Sequence, residues 1–264
     1  MAQTARSLGD HLREWRQRRR MSQLDLALEA EISQRHLSFI ESGRSTPSRE
    51  MLLHLAERLS VPLRERNPLL LAAGFAPVFA ERRLDDPALE PARRAIDMVL
   101  KGHEPFPAIA IDRNWTLVAA NAALAPLLEA VADPSLLEPP VNVLRLSLHP
   151  QGLAPHIINL SEWRAHLLDR LREQISVSGD PVLEKLLKEL RSYPAPKDAR
   201  ETHTDLAGIA VPLQLSTKAG LLSFISTTTV FGTPVDITLS ELAIESFFPA
   251  DEETAAILRG HLAN

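Results

Sequence analysis

The sequence predicts two domains of different class: an all-α five-helix unit over residues 1–78 and an α+β unit with a five-stranded antiparallel sheet over residues 92–264. Three observations carry this. Apolar residues recur at helical spacing, with cap and stop residues between runs, as far as Gly74. The stretch 79–91, which contains ERRLDDPALEP, is charged and punctuated by proline, as a linker is. After Pro107 the apolar period changes to short strand-like runs.

The first helix spans Ser7 to Arg20, with Leu8, Leu12 and Trp15 as its core stripe. It ends in Arg16-Gln17-Arg18-Arg19-Arg20, where cations complement the helix dipole and can also meet phosphates. Ser22 caps the second helix, Asp25 completes a capping box, and Leu24, Ala27 and Leu28 form the apolar face. Glu29 to Ile32 make the turn. Ser33 caps the third helix, which buries Leu37 and Ile40 with Phe39 beside them and stops at Gly43. Thr46-Pro47 reads as the N-cap and first position of the fourth helix, which carries Leu52, Leu55, Ala56 and Leu59. The fifth runs from Leu63 to Ala73.

The third helix leaves Ser33, Gln34, Arg35, His36 and Ser38 free to hydrogen-bond. A helix whose first turn offers Gln and Arg can read base edges in a major groove. Charge agrees in sign: residues 1–80 hold 12 Arg against nine carboxylates, net +3, while the remainder is net −8. The excess is modest, so orientation of the arginines has to supply the phosphate contacts.

In the second domain, Pro107 to Asp112 and Trp115 to Ala120 are short apolar runs around the turn signal Asp112-Arg113-Asn114, a hairpin. Asn121 then heads a short helix interrupted by Pro126. Residues 133–156 read as irregular or broken-helical. Helices follow from Ser161 to Ile175 and after Asp180-Pro181. Strand patterning returns at 208–215, 220–231 and within 241–248, and Asp251 caps a last helix. Strand, strand, short helix is the order in which a PAS-type sensor domain begins, and two strands, helices and three strands suit one antiparallel sheet with helices over one face.

An apolar cavity under those helices would draw on Leu144, Leu146, Leu148, Ile157, Ile158, Trp163 and Leu167, with Ile111, Leu117, Leu222, Phe224 and Ile244 from the sheet. An anionic head group would need a donor, for which Arg145, His149, His156 and Arg164 are the candidates. Asn121 is open to two roles, helix cap or ligand contact.

The chain has no cysteine, which removes disulfides, thiolate metal sites and cysteine nucleophiles. Its nine histidines show no HExxH pairing, and there is no GxSxG elbow or P-loop. The expectation is therefore no enzyme, no metal and no cofactor. No apolar run approaches the ~18 residues a bilayer span requires, and the N-terminus has no signal-peptide core. A cytoplasmic protein is expected.

Ser22-Gln23, Ala27, Ile32-Ser33 and Ile40-Glu41-x-Gly43-Arg44-x-x-Pro47 resemble the phage-repressor-like (lambda-repressor-like, XRE) helix-turn-helix family. With the segments Ser33–Pro77, Ala110–Ala123, Asn142–Trp163 and Phe231–Leu258, nearly the whole chain resembles the MmyB-like regulators. These join that helix-turn-helix to a PAS-like ligand-binding domain. The resemblance implies a transcription regulator whose sensor domain binds a small, largely apolar molecule, fatty acids being one ligand type. Base contacts then fall to Ser33, Gln34, Arg35 and Ser38, and phosphate contacts to Arg16, Arg18, Arg19, Gln23 and Arg44. The ligand set is Arg145, His149, Arg164, Trp163, Leu167, Asn121 and Phe224. The expected partners are a double-stranded DNA operator, the ligand and a second copy of the chain. The rival reading makes the second domain a dimerisation scaffold whose apolar residues are plain core.

Overall fold

The computed structural model of the chain describes residues 6–194, 211–232 and 236–261. It divides into two compact units: Met1–Arg83 with Thr233–Ser240, and Leu84–Gly232 with Glu241–Asn264.

The first unit holds helices α1 (Leu8–Arg18), α2 (Gln23–Glu29), α3 (Gln34–Glu41), α4 (Arg49–Arg58) and α5 (Leu63–Ala72). Ser7 and Ser22 each accept a hydrogen bond from the third helical residue, an aspartate that reaches back, so α1 and α2 both open on capping boxes. Gly43 and Gly74 adopt positive φ after α3 and α5, where a side chain would be strained. The core joins Leu12, Trp15, Leu26, Ala27, Leu37, Ile40, Leu52, Leu55, Leu59, Leu69 and Leu70.

Two details correct the sequence reading. α4 is capped by Ser48, whose Oγ accepts from Met51 N at 3.2 Å, and not by Thr46. Pro47 is buried just ahead of the helix instead of opening it. The buried face of α2 is Leu26 and Ala27, while Leu24 and Leu28 are exposed. α2 packs on α3 and α4, and the side they cover is that of Leu26 and Ala27.

α1 crosses the end of α3 so closely that only glycine fits between them. A Cβ on Gly9 would lie 2.0 Å from the Glu41 carbonyl oxygen.

The second unit begins with α6 (Glu90–Gly102) and continues with β1 (Ala108–Ile111), β2 (Leu117–Ala120) and the short α7 (Ala125–Leu128). α8 (Val143–Leu148), α9 (Leu160–Ser178) and α10 (Pro181–Ser192) follow, then β3 (Leu213–Thr217), β4 (Gly220–Val230), β5 (Ala243–Pro249) and α12 (Glu252–His261). Between β4 and β5, α11 (Ile237–Ser240) belongs to the first unit. The sheet order is β2-β1-β5-β4-β3, antiparallel throughout. The stretch Gly208 to Ala210, expected as part of a strand, lies outside the described residues.

Helices cover more than one face of this sheet. All four residues of β1 are buried, and α6 packs on β1 and β5. Ile96 and Leu100 of α6 are buried apart from the core that α8, α9 and α10 share with Ile109, Ile111, Leu213, Leu215, Leu222 and Phe224.

Candidate nucleic-acid interface and ligand cavity

α3 is held from its far end. Glu41 is 3% exposed, and its carboxylate accepts from Arg16 Nε at 2.7 Å, Arg16 Nη2 at 3.0 Å and Gln23 Nε2 at 2.8 Å. Arg13 Nη2 donates to the Glu41 carbonyl. α1 and α2 are thereby tied to the last residue of α3, leaving its first turn facing outward. Burial pushes the Glu41 carboxyl up, but the hydrogen bonds from Arg16 and Gln23 and the charges of Arg16 and Arg13 together hold it below its ordinary value of 4.5.

That network redistributes the phosphate candidates. Arg16, with 11% of its side chain exposed, and Gln23 are spent on Glu41. Arg19 donates to the Leu59 and Ser60 carbonyls at 2.8 and 2.9 Å, closing the end of α4. Both arginines and Gln23 therefore serve inside the unit. Arg18 pairs with Glu14 at 2.8 Å on the surface and lies over the Trp15 ring. Arg44 is exposed.

The base-reading candidates do share one surface. Ser33 is the N-cap of α3, its Oγ accepting from His36 N. Gln34 and Arg35 are exposed and Ser38 is half-buried one turn on. Phe39 joins them in a way the sequence reading missed. The guanidinium carbons of Arg35 and Arg44 lie 5.3 and 5.9 Å from its ring centroid, so one aromatic side chain steadies two cations. The signal was present as Arg35, Phe39 and Arg44 at close spacing, but a partly buried Phe reads from sequence as plain core.

In the second unit a cavity opens between the sheet and α7, α8 and α9, with about 720 Å³ of empty space counting the solvent at its mouth. Trp163, Leu167 and Phe224 line it as expected, with Leu117, Leu144 and Leu146. Trp115 was expected in a strand. It takes positive φ in the hairpin turn instead, lines the cavity, and donates its indole N–H to Gln174 of α9 at 2.7 Å. Leu148, Ile157, Ile111 and Leu222 are core, Ile158 is exposed, and Ile244 is buried outside that core cluster.

None of the polar ligand candidates lines the cavity. Arg145 makes a two-pronged ion pair with Glu189, at 2.7 and 2.8 Å, which fastens α8 to α10. Its partner Glu189 also takes the Tyr193 hydroxyl, whose pKa burial and this carboxylate both raise. Arg164 donates to the Leu190, Arg191 and Tyr193 carbonyls at the end of α10. His149 accepts from Gln151 N and packs edge-on against Tyr193. Asn121 is buried but neither caps α7 nor reaches the cavity. It accepts from Ala108 N and donates to the Leu100 and Phe106 carbonyls, joining α6 to β1. The physical reason is shared by Arg145, Arg164, His149 and Asn121: a polar side chain among leucines satisfies nearby backbone groups and carboxylates first.

The polar groups that do line the cavity are Ser147 and Glu245. Ser147 Oγ accepts from Trp163 Nε1 at 3.0 Å. Glu245, on β5, pairs with Arg170 of α9, whose guanidinium lies 4.9 Å above the Trp115 ring. Among the described residues no cluster of three potential metal ligands occurs, and no helix is long and apolar enough to cross a membrane.

Comparison with known proteins agrees with this architecture. Residues 92–260 match the family model of the MmyB-like transcription regulator ligand binding domain, and residues 12–66 match a helix-turn-helix model. No curated protein matches the chain. Among solved structures, one described as an RNA-binding Light-Oxygen-Voltage receptor is 13% identical with a TM-score of 0.25. The alignment covers 98% of this chain and 65% of that one, so the chain spans less than two thirds of its length.

Proposed function

This chain belongs to the MmyB-like transcription regulators, and on that premise we propose that it is a dimeric, sequence-specific operator-binding protein whose second unit responds to a small, predominantly apolar molecule. The observation that carries the DNA half is the outward first turn of α3, held by the Glu41 network. Gln34 and Arg35 read base edges, with Ser33 and Ser38 beside them, and Arg44 and Arg18 meet phosphates. Arg16, Arg19 and Gln23 act by positioning α3 and α4.

The test is a gel-shift titration against an operator selected from random DNA. Arg35→Ala relaxes specificity at one base pair and costs about 1–3 kcal/mol of binding. Unchanged affinity and unchanged selection would remove Arg35 from the base-reading set. One such unit makes few contacts, so two copies are expected on a pseudo-palindrome with half-sites about one helical turn apart. Light scattering of the protein with operator is expected to give two chains per duplex; one chain per duplex argues against the dimer.

Coupling has a covalent route. Phe224 of β4 and Glu245 and Phe247 of β5 form cavity wall. The stretch that joins these strands contributes 236–240 to the first unit. There Asp236, 1% exposed, pairs with Arg82 at 2.8 Å, and Ile237 N donates to the Ala80 carbonyl. A ligand that favours one placement of β4 and β5 biases the segment anchored beside α5. The cavity's apolar walls favour this sensor reading over a pure dimerisation scaffold.

A further inference from the structure

We infer that the cavity selects an apolar molecule bearing a neutral hydroxyl, held by Glu245, and disfavours a carboxylate. This rests on the sensor reading above. Glu245 occupies a place where the sheet otherwise presents apolar side chains: it pairs across β1 with Ile109, and its neighbours two residues away, Ala243 and Phe247, pack against the core. A carboxylate there is costly unless it is paired. Arg170 supplies the pair through Glu245 Oε1, and Thr228 Oγ1 lies 3.5 Å from the same oxygen. The second oxygen, Oε2, accepts no hydrogen bond among the described residues and stays open as an acceptor.

The remaining polar groups narrow the ligand further. The indole N–H of Trp163 is spent on Ser147 and that of Trp115 on Gln174. No Lys, Arg or His is among the described residues that line the space. A fatty-acid carboxylate would therefore meet the open oxygen of Glu245, and the nearest cation, Arg170, is already committed to that side chain and to the Trp115 ring. An ammonium would find Glu245 already neutralised by Arg170. A hydroxyl meets neither penalty: it donates to Glu245 Oε2 while its apolar body lies along Leu144, Leu167 and Phe224.

The experiment titrates the full chain with 1-decanol, decanoic acid and decylamine, reading tryptophan fluorescence and calorimetric heat. Trp115 and Trp163 report from the cavity wall. Decanol is expected to bind at least about tenfold more tightly than either charged probe. Glu245→Gln, which keeps an acceptor and removes the charge, is expected to hold decanol affinity within about threefold and to narrow the decanoate gap. Leu167→Trp, which fills the space, removes all binding and so locates the site. Decanoate or decylamine binding tightest in the wild type, and lost in Leu167→Trp, overturns the head-group assignment and leaves the sensor reading intact. Binding of none of the three probes overturns both.

Discussion

Glu41→Ala lowers the stability of the first unit by about 3–5 kcal/mol and takes operator binding with it. The substitution removes the partner of Arg16, whose guanidinium then stays largely buried with no counter-charge, and it frees the side-chain amide of Gln23. A buried charge left alone costs far more than the intact pair contributes, which is why deletion of one partner is so damaging. The loss of binding follows from position: Glu41 closes the helix whose first turn carries Gln34 and Arg35. Chemical denaturation with hydrogen exchange of the α3 amides measures the first effect, and gel shift the second. Wild-type stability in the variant would show that the network is ornamental.

The same group makes stability depend on acid. Its carboxyl is held below 4.5 in the folded chain. The contribution is therefore fully present above that ordinary value and is lost as pH falls through the lowered folded one. In Glu41→Gln this part of the acid dependence disappears.

Phe224→Ala costs about 3–5 kcal/mol in the second unit and changes what the cavity binds. Phe224 is completely buried, lies edge-on to Phe247 with ring centroids 6.2 Å apart, and forms part of the cavity wall. Truncation joins a new void to an existing one, so the side chains around it cannot collapse to fill it. An added apolar ligand that fills the enlarged space recovers stability in proportion to the logarithm of its concentration over Kd. Thermal unfolding with and without decanol measures both changes. A variant with unaltered melting and unaltered decanol response would place Phe224 outside the working cavity.

Much of the fold was legible in local patterns. Ser22, Ser33, Asp180 and Asp251 each accept the capping hydrogen bond that their place in the sequence suggests. Gly43 and Gly74 close their helices at positive φ, and β1 and β2 flank the turn that Asp112 organises. These signals survive because they involve residues within one turn of each other, so no distant partner can overrule them. The apolar lining was half legible: leucines and tryptophans marked the region, but composition cannot separate a residue that lines a cavity from one that fills the core.

Polar roles were the least legible, because a charged side chain goes to whichever partner the fold brings near. Arg145, Arg164 and Asn121 are spent on groups 44, 26 and 13 residues away, and Arg16 on Glu41, 25 away. Glu245, in a strand of mixed character, gave no hint that it would face the cavity opposite an arginine 75 residues earlier. Most helix and strand boundaries, and the caps at Ser22, Ser33, Asp180 and Asp251, were thus written in short-range chemistry. Which arginines stay exposed, and which carboxylate lines the cavity, was decided only by the partners that packing brought to them.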